Sequence, residues 1–127
     1  MLRSEAIDDA ISWHIWIHVE PIPDHAWVVR GGRNRPEDIQ RGIAIHPSGV
    51  TGVSVECGTE VSVQELARPL PHRQIGLTTV SKIRKMGGEV IRTSGRSRYH
   101  ATVVGITPEQ LSLLFTPSIP NLGRSQS

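Results

Sequence analysis

The sequence predicts a single α+β domain with a small mixed or antiparallel sheet of about five strands and four or five short helices. Its 127 residues suit one domain. Segments with apolar residues at every second position alternate with short segments that begin at helix-capping residues. Their irregular order favours α+β over a repeated βαβ sheet. The domain is predicted to span residues 1–116, and residues 117–127 to form an extended Pro- and Ser-rich tail.

The first half of the chain is predicted to hold two helices and three strands. Ser4 is a suitable N-cap for a helix that ends near Ile11. Pro36 stands at the first position of a short helix that Gly42 ends. Alternating apolar residues predict strands over 13–20, 25–30 and 50–57, and the segment 42–48 is predicted to be a loop.

The second half is predicted to hold three helices and two strands. Capping boxes at Ser62 and Thr107 each predict the start of a helix, and Thr78 or Thr79 is the predicted N-cap of a third. The helix that begins at Thr78 or Thr79 spans 80–86, with Val80 and Ile83 facing inward. The helix that begins at Thr107 buries Leu111, Leu114 and Phe115. The strands cover 89–93 and 99–105, and the loops cover 69–76 and 94–98.

Composition excludes several classes of protein. A single cysteine, Cys57, excludes an internal disulfide framework and a multi-Cys zinc site, and we expect it to be a buried small residue. No apolar run approaches the ~20 residues of a membrane span, and the acidic N-terminal segment does not resemble a signal peptide. We therefore expect a soluble chain, cytoplasmic as written, with no membrane partner. His14 and His18 lie too far apart on an extended strand to chelate one ion, so no metal is predicted.

The net charge of +2 hides an uneven distribution. Residues 1–60 carry five Lys/Arg and nine Asp/Glu, a balance of −4, whereas residues 61–127 carry nine and three, a balance of +6. Such a basic segment is either a solvated face or a surface for a polyanion, most readily nucleic acid. The predicted nucleic-acid contacts are Arg73, Lys82, Arg84, Lys85, Arg92, Arg96 and Arg98.

His100 and Thr102 lie two residues apart on a predicted strand, so both side chains leave the same face. Cleavage of RNA through its 2′-hydroxyl needs a base of near-neutral pKa, a donor or second acid, and cations for the phosphate. His100 supplies the base or acid, Thr102 the donor, and Arg30 a cation, while His72 is a candidate second acid or base. The alternative is an exposed edge-strand histidine beside a threonine chosen for β propensity. The His-x-Thr pair resembles the motif of two-histidine phosphoesterases, a family with two such motifs where this chain has one.

The Arg30-Gly31-Gly32 strand end resembles the first catalytic strand of arginine-type ADP-ribosyltransferases, in which an arginine holds the phosphates of NAD. That resemblance places Ser54 where the family has its Ser-Thr-Ser strand. The family also needs a Glu-x-Glu or Gln-x-Glu element on a later strand, and this sequence has none. The residue that would orient the ribose is therefore missing.

The final 100 residues are similar to small bacterial toxin or effector domains attached to secreted polymorphic toxins. The similarity rests on the α+β order, the Arg-Gly-Gly strand end, the His-Ala-Thr strand and the Thr-Pro-Glu-Gln helix. It implies a cognate immunity protein as a partner and delivery within a longer exported protein. The leading hypothesis is a ribonuclease that acts on RNA, for example tRNA, with no metal or other cofactor. The alternatives are an NAD-dependent ADP-ribosyltransferase and a non-catalytic module that binds nucleic acid or protein.

Overall fold

A computed structural model describes residues 21–46 and 49–123 of the chain. These residues form one α+β domain in which four helices pack on a seven-stranded antiparallel sheet, which confirms the predicted fold class. The strand order is β5-β6-β3-β1-β4-β7, and β2 pairs with β3 alone. The strands are β1 Trp27–Gly31, β2 Ile43–Ile45, β3 Thr51–Gly58, β4 Gln74–Thr79, β5 Glu89–Arg92, β6 His100–Val104 and β7 Ile119–Pro120. The helices are α1 Pro36–Arg41, α2 Val63–Ala67, α3 Val80–Lys85 and α4 Pro108–Phe115.

The helices begin where the capping residues predict. Thr107 accepts a hydrogen bond from the Gln110 amide, and the Gln110 side chain accepts one from the Thr107 amide, which completes a capping box at the start of α4. Ser62 caps α2 and Thr79 caps α3 in the same way, by accepting a backbone N–H bond. All four helices of the described residues are short, so tertiary packing stabilises them more than their own propensity.

The two faces of the sheet have different coverings. The larger core lies on the face that α1, α3 and α4 cover, where Val28, Val55 and Val103 alternate with residues of the opposite face. A smaller apolar cluster on that opposite face packs Val29 and Ile75 against α2. Because α2 is only five residues long, part of this face stays uncovered beside it. The candidate site lies in that uncovered part.

Three strands lie where the sequence predicts loops or a tail. Residues 43–45 form β2, and residues 74–79 form β4, which pairs with the whole of β1. Residues 119–120 form β7, which pairs with β4. Glycine and charged or polar neighbours weaken the alternation in these segments, and partner strands distant in sequence supply the hydrogen bonds. The predicted helix 4–11 and strand 13–20 lie outside the described residues.

The segment after α4 packs against the domain over its first residues. Asn121 is 4% exposed, and its side-chain amide donates to the backbone carbonyls of Leu70 and His72 at 3.2 and 2.8 Å. This contact fixes the loop between α2 and β4, which carries His72. Among the described residues, no helix has the length and apolar character that crossing a bilayer requires.

Candidate functional site

Two histidines converge on one serine hydroxyl. The Oγ atom of Ser54 lies 3.2 Å from Nε2 of His100 and 3.4 Å from Nε2 of His46. The two imidazole rings meet edge to face with their centroids 5.5 Å apart. Ser54 is exposed and both histidines are partly exposed, so a ligand can reach all three. A hydroxyl between two groups that can each accept or donate a proton is the kind of arrangement that acid–base chemistry requires.

The register of β3 and β6 brings Ser54 and His100 together. Ser54 pairs with Thr102, and His100 pairs with Glu56. Ser54 and His100 are therefore diagonal neighbours on the same face of an antiparallel pair, within reach of a long side chain such as histidine. A shift of this register by one residue would send both side chains to opposite faces. The β3–β6 pairing is thus a condition for the site.

A chain of hydroxyls holds the other side of the His100 ring. Nδ1 of His100 lies 2.8 Å from Oγ1 of Thr93, which in turn lies 2.9 Å from Oγ1 of Thr102. Thr93 is 8% exposed and Thr102 is fully buried. The sequence predicts Thr102 as a donor to the substrate, but Thr102 is buried, and its hydroxyl reaches His100 only through that of Thr93. The Cβ of an alanine at Gly95 would lie 2.5 Å from the His100 ring, so the preceding loop also packs closely on this imidazole.

The hairpin of β2 and β3 supplies the second histidine. His46 follows β2, and its amide donates to the carbonyl of Val50 at 2.9 Å, which closes the hairpin. The sequence predicts only a loop around His46. Because β2 was not predicted, the register that carries His46 back over Ser54 could not be derived, and no local motif marks this histidine.

A cavity of about 430 Å³ opens on the other side of Ser54. Gly31 forms part of its wall, and the imidazole of His72 packs directly on this glycine. A Cβ at position 31 would lie 2.1 Å from Nδ1 of His72, so only glycine leaves room for the ring. The predicted residues Arg30 and His72 thus line the same cavity as Ser54, although neither forms a hydrogen bond with Ser54. The lining residues are Arg30, Gly31, Gly32, Arg33, Arg35, Asp38, Ser54, Leu70 and His72.

Asn34 holds Arg30 in this cavity. Nη1 of Arg30 donates to Oδ1 of Asn34 at 2.7 Å, and the Asn34 amide donates back to the carbonyl of Arg30 at 3.0 Å. Asn34 is fully buried with a positive φ of 57°, and its own carbonyl accepts a bond from the Ser112 hydroxyl. Burial lowers the pKa of Arg30, and the nearby carboxylate of Asp38 partly offsets this effect. Arg30 stays charged at neutral pH because the ordinary pKa of arginine lies so far above 7.

The predicted nucleic-acid contacts are divided between different parts of the fold. Lys82, Arg84 and Lys85 belong to α3, which packs through Val80 and Ile83 on the sheet face opposite Ser54. Arg84 forms ion pairs with Asp24 and Glu89, which leaves less of its charge for a ligand. The basic segment therefore does not form one continuous surface with His100.

The remaining predicted contacts lie nearer the site. Arg96 and Arg98 are exposed in the loop before β6, and the Arg98 guanidinium lies 5.0 Å from the centroid of the Tyr99 ring. Arg92 has a structural contact, since its Nη1 donates a hydrogen bond to the backbone carbonyl of Cys57 at 2.9 Å. Arg73 is exposed at the start of β4, one residue after His72.

Two buried groups lie close to the site on β3. Glu56 is 7% exposed, and its Oε1 has no hydrogen-bond partner among the described residues, which is rare for a buried acceptor. Its side chain leaves the same face as Ser54, two residues along the strand. Cys57 is fully buried on the other face, and burial raises the pKa of its thiol to about 11. Cys57 is therefore not a nucleophile at neutral pH.

Comparison of the chain with models of protein families, with curated proteins and with solved structures found no match.

Proposed function

We propose that this domain cleaves RNA by acid–base chemistry at Ser54, with His46 and His100 as the two proton-transfer groups. The observation that supports the proposal most is the convergence of both imidazoles on one exposed hydroxyl. Cleavage of an RNA phosphodiester by the adjacent 2′-hydroxyl needs one group that takes a proton and another that gives one. The imidazoles of His46 and His100, on either side of the Ser54 hydroxyl, can supply the base and the acid.

The reaction balances without a further reactant. The base removes the proton of the RNA 2′-hydroxyl, and the 2′-oxygen attacks the adjacent phosphorus. The bond from phosphorus to the 5′-oxygen breaks as the acid protonates that oxygen. The products are a 2′,3′-cyclic phosphate and a 5′-hydroxyl end. The base has gained the proton of the 2′-hydroxyl and the acid has given one to the 5′-oxygen, and exchange with water restores both groups.

The hydroxyl chain favours His100 as the base. When Nδ1 of His100 carries the proton and donates a hydrogen bond to Oγ1 of Thr93, Nε2 has the free lone pair that a base needs. His46 then protonates the leaving 5′-oxygen, and Ser54 supplies a hydrogen bond to the phosphate. Arg96 and Arg98 are exposed in the loop that packs on His100, and we expect them to balance the charge that develops on the phosphate.

The test is cleavage of tRNA and total RNA by the purified protein in EDTA, with analysis of the new ends. His100→Ala and His46→Ala should each slow cleavage by about 10²–10⁴-fold, whereas the exposed His25 offers a matched control. Intact RNA with the wild-type protein would overturn the proposal. Salt-sensitive RNA binding without turnover would instead support the non-catalytic binding module.

A second candidate function is NAD-dependent ADP-ribosyl transfer. It is favoured by one observation, namely that Arg30 and Ser54, the two residues of the resemblance to ADP-ribosyltransferases, line the same cavity. On this reading Arg30 holds the phosphates of NAD. Release of nicotinamide from NAD, lost in Arg30→Lys and Ser54→Ala but unaffected by His46→Ala, would select this function over RNA cleavage.

A further inference from the structure

We infer that the cavity beside Ser54 is a nucleotide subsite in which Arg30 binds a phosphate, so that it holds the nucleotide next to the one cleaved. This inference rests on the proposed function in one respect, namely that the bound nucleotide belongs to an RNA chain. The chemistry that it assigns to the cavity, recognition of a nucleoside phosphate, stands on the cavity's own residues.

Arg30 is the anchor because its donors are largely free. Among the described residues, the side chain makes a single hydrogen bond, from Nη1 to Oδ1 of Asn34, and no ion pair. Its guanidinium also packs closely on Gly42, since a Cβ there would lie 2.3 Å from Nη2. A partly buried arginine that hydrogen-bonds to no carboxylate is incompletely compensated by a nearby one such as Asp38, and a phosphate oxygen would satisfy both its charge and its paired donors.

The other charges around the cavity leave Arg30 available. Asp38 is the lining carboxylate, and it hydrogen-bonds to the guanidinium groups of Arg35 and Arg41. The guanidinium of Arg35 lowers the pKa of Asp38 to about 2, so the carboxylate is ionised and paired with Arg35 at neutral pH. Arg33 is exposed and has no polar partner among the described residues. The cavity therefore offers two cations that form no ion pair among the described residues, Arg30 within it and Arg33 at its rim.

The size and walls of the cavity fit one nucleotide. A volume of about 430 Å³ lies at the lower end of the ~300–1,000 Å³ typical of ligand sites. The imidazole of His72 and the side chain of Leu70 supply ring and apolar contacts of the kind that bases use. Asn121 fixes the main chain of His72 through its carbonyl, so this wall is positioned before a ligand arrives.

Ser54 connects the subsite to the proposed cleavage site. Its hydroxyl lines the cavity and also contacts both His46 and His100. A nucleotide bound on Arg30 would thus place its neighbour along the RNA chain at the two imidazoles. NAD carries the same nucleoside phosphate, so the experiment must distinguish these two sources.

The test measures binding in the His100→Ala background, in which cleavage cannot confuse the result. The probes are a short oligoribonucleotide, 5′-AMP, adenosine, inorganic phosphate and NAD. Arg30→Gln should weaken 5′-AMP and the oligoribonucleotide at least about tenfold, the usual value of a charged hydrogen bond, and Arg33→Gln should weaken both by a smaller factor. Lys85→Gln removes an equal charge from the exposed end of α3, which does not line the cavity, and should change neither.

Results other than these would reject the phosphate subsite, its RNA source or the proposed function. Equal weakening by Lys85→Gln, or binding of adenosine as tight as that of 5′-AMP, would overturn the phosphate subsite. Should Arg30→Gln not fold, the exposed Arg33→Gln still decides between these outcomes. Binding of NAD far tighter than that of the oligoribonucleotide would overturn the RNA source. Failure of wild-type RNA cleavage with 5′-AMP binding intact would reject the proposed function alone.

Discussion

The hydroxyl of Ser54 lies 3.2 Å from Nε2 of His100, although 46 residues separate them in the chain. Their contact depends on the antiparallel pairing of β3 with β6, which sets Ser54 opposite Thr102. The same face presents His46 to Ser54 from the β2–β3 hairpin. One short region of sheet thus gathers three groups that can exchange protons.

Replacement of either histidine at Ser54 should remove RNA cleavage without unfolding the protein. Loss of a general acid or base typically costs about 10²–10⁴-fold in rate. We expect His46→Ala and His100→Ala each to fall in this range in a gel-based RNA cleavage assay, with unchanged circular dichroism. His25→Ala should cleave at the wild-type rate. A loss in His25→Ala comparable with the other two would point to a general effect of histidine removal.

Thr93→Val should impair His100 by removing the hydroxyl that orients its ring. The substitution keeps the shape of the side chain but leaves Nδ1 of His100 and Oγ1 of Thr102 without this partner. We expect the free energy of unfolding to fall by about 1–3 kcal/mol, the cost of leaving buried polar groups without a hydrogen bond. Cleavage should also slow while RNA binding stays unchanged. Parallel kinetics and urea denaturation measure both effects.

Thr78→Val is the matched control for Thr93→Val. The Thr78 hydroxyl is buried without a hydrogen-bond partner among the described residues. Its replacement by an isosteric methyl removes an unsatisfied polar atom, so the free energy of unfolding should stay the same or rise. Destabilisation of Thr78→Val as large as that of Thr93→Val would show that the Thr93 contacts carry no special weight.

Gly31→Ala should displace His72 from the cavity. The added Cβ would lie 2.1 Å from Nδ1 of His72, and the exposed His72 side chain is free to swing toward solvent. We therefore expect little change in stability but weaker binding of 5′-AMP, together with a shift of the His72 ring resonances in NMR spectra. Wild-type affinity in Gly31→Ala would mean that His72 is not part of the subsite.

Asp38 should contribute stability that is lost only in strong acid. Its folded pKa of about 2 lies below the ordinary value of 3.8 because the Arg35 guanidinium stabilises the carboxylate. The group is thus ionised in both states above pH 4, and its contribution falls as the pH drops from about 4 through 2. Arg35→Gln should return the NMR titration midpoint of Asp38 toward 3.8. An unchanged midpoint would contradict the assigned cause.

The helices could be predicted from local sequence because their signals are local. Thr107 and Gln110 form a reciprocal capping box, and the same four-residue pattern is visible in the sequence. Ser62 and Thr79 likewise cap helices at the predicted positions. The strands β2, β4 and β7 could not be predicted as well, because their stability comes from partners distant in the chain.

The site was predictable only in part for the same reason. The alternation of His100 and Thr102 on a strand places both on one face, and the structure confirms that placement. The meeting of His46 with Ser54 depends on the register of a hairpin whose first strand has no clear sequence signal. The orientation of His100 by Thr93 likewise requires the pairing of β5 with β6.

The ends that the wild-type protein leaves on RNA in EDTA decide whether Ser54 and its two histidines form a ribonuclease site. We expect 2′,3′-cyclic phosphate and 5′-hydroxyl ends, with at most traces of them from His46→Ala or His100→Ala. RNA left intact by the wild-type protein, or cleaved equally well by both histidine variants, would contradict this expectation.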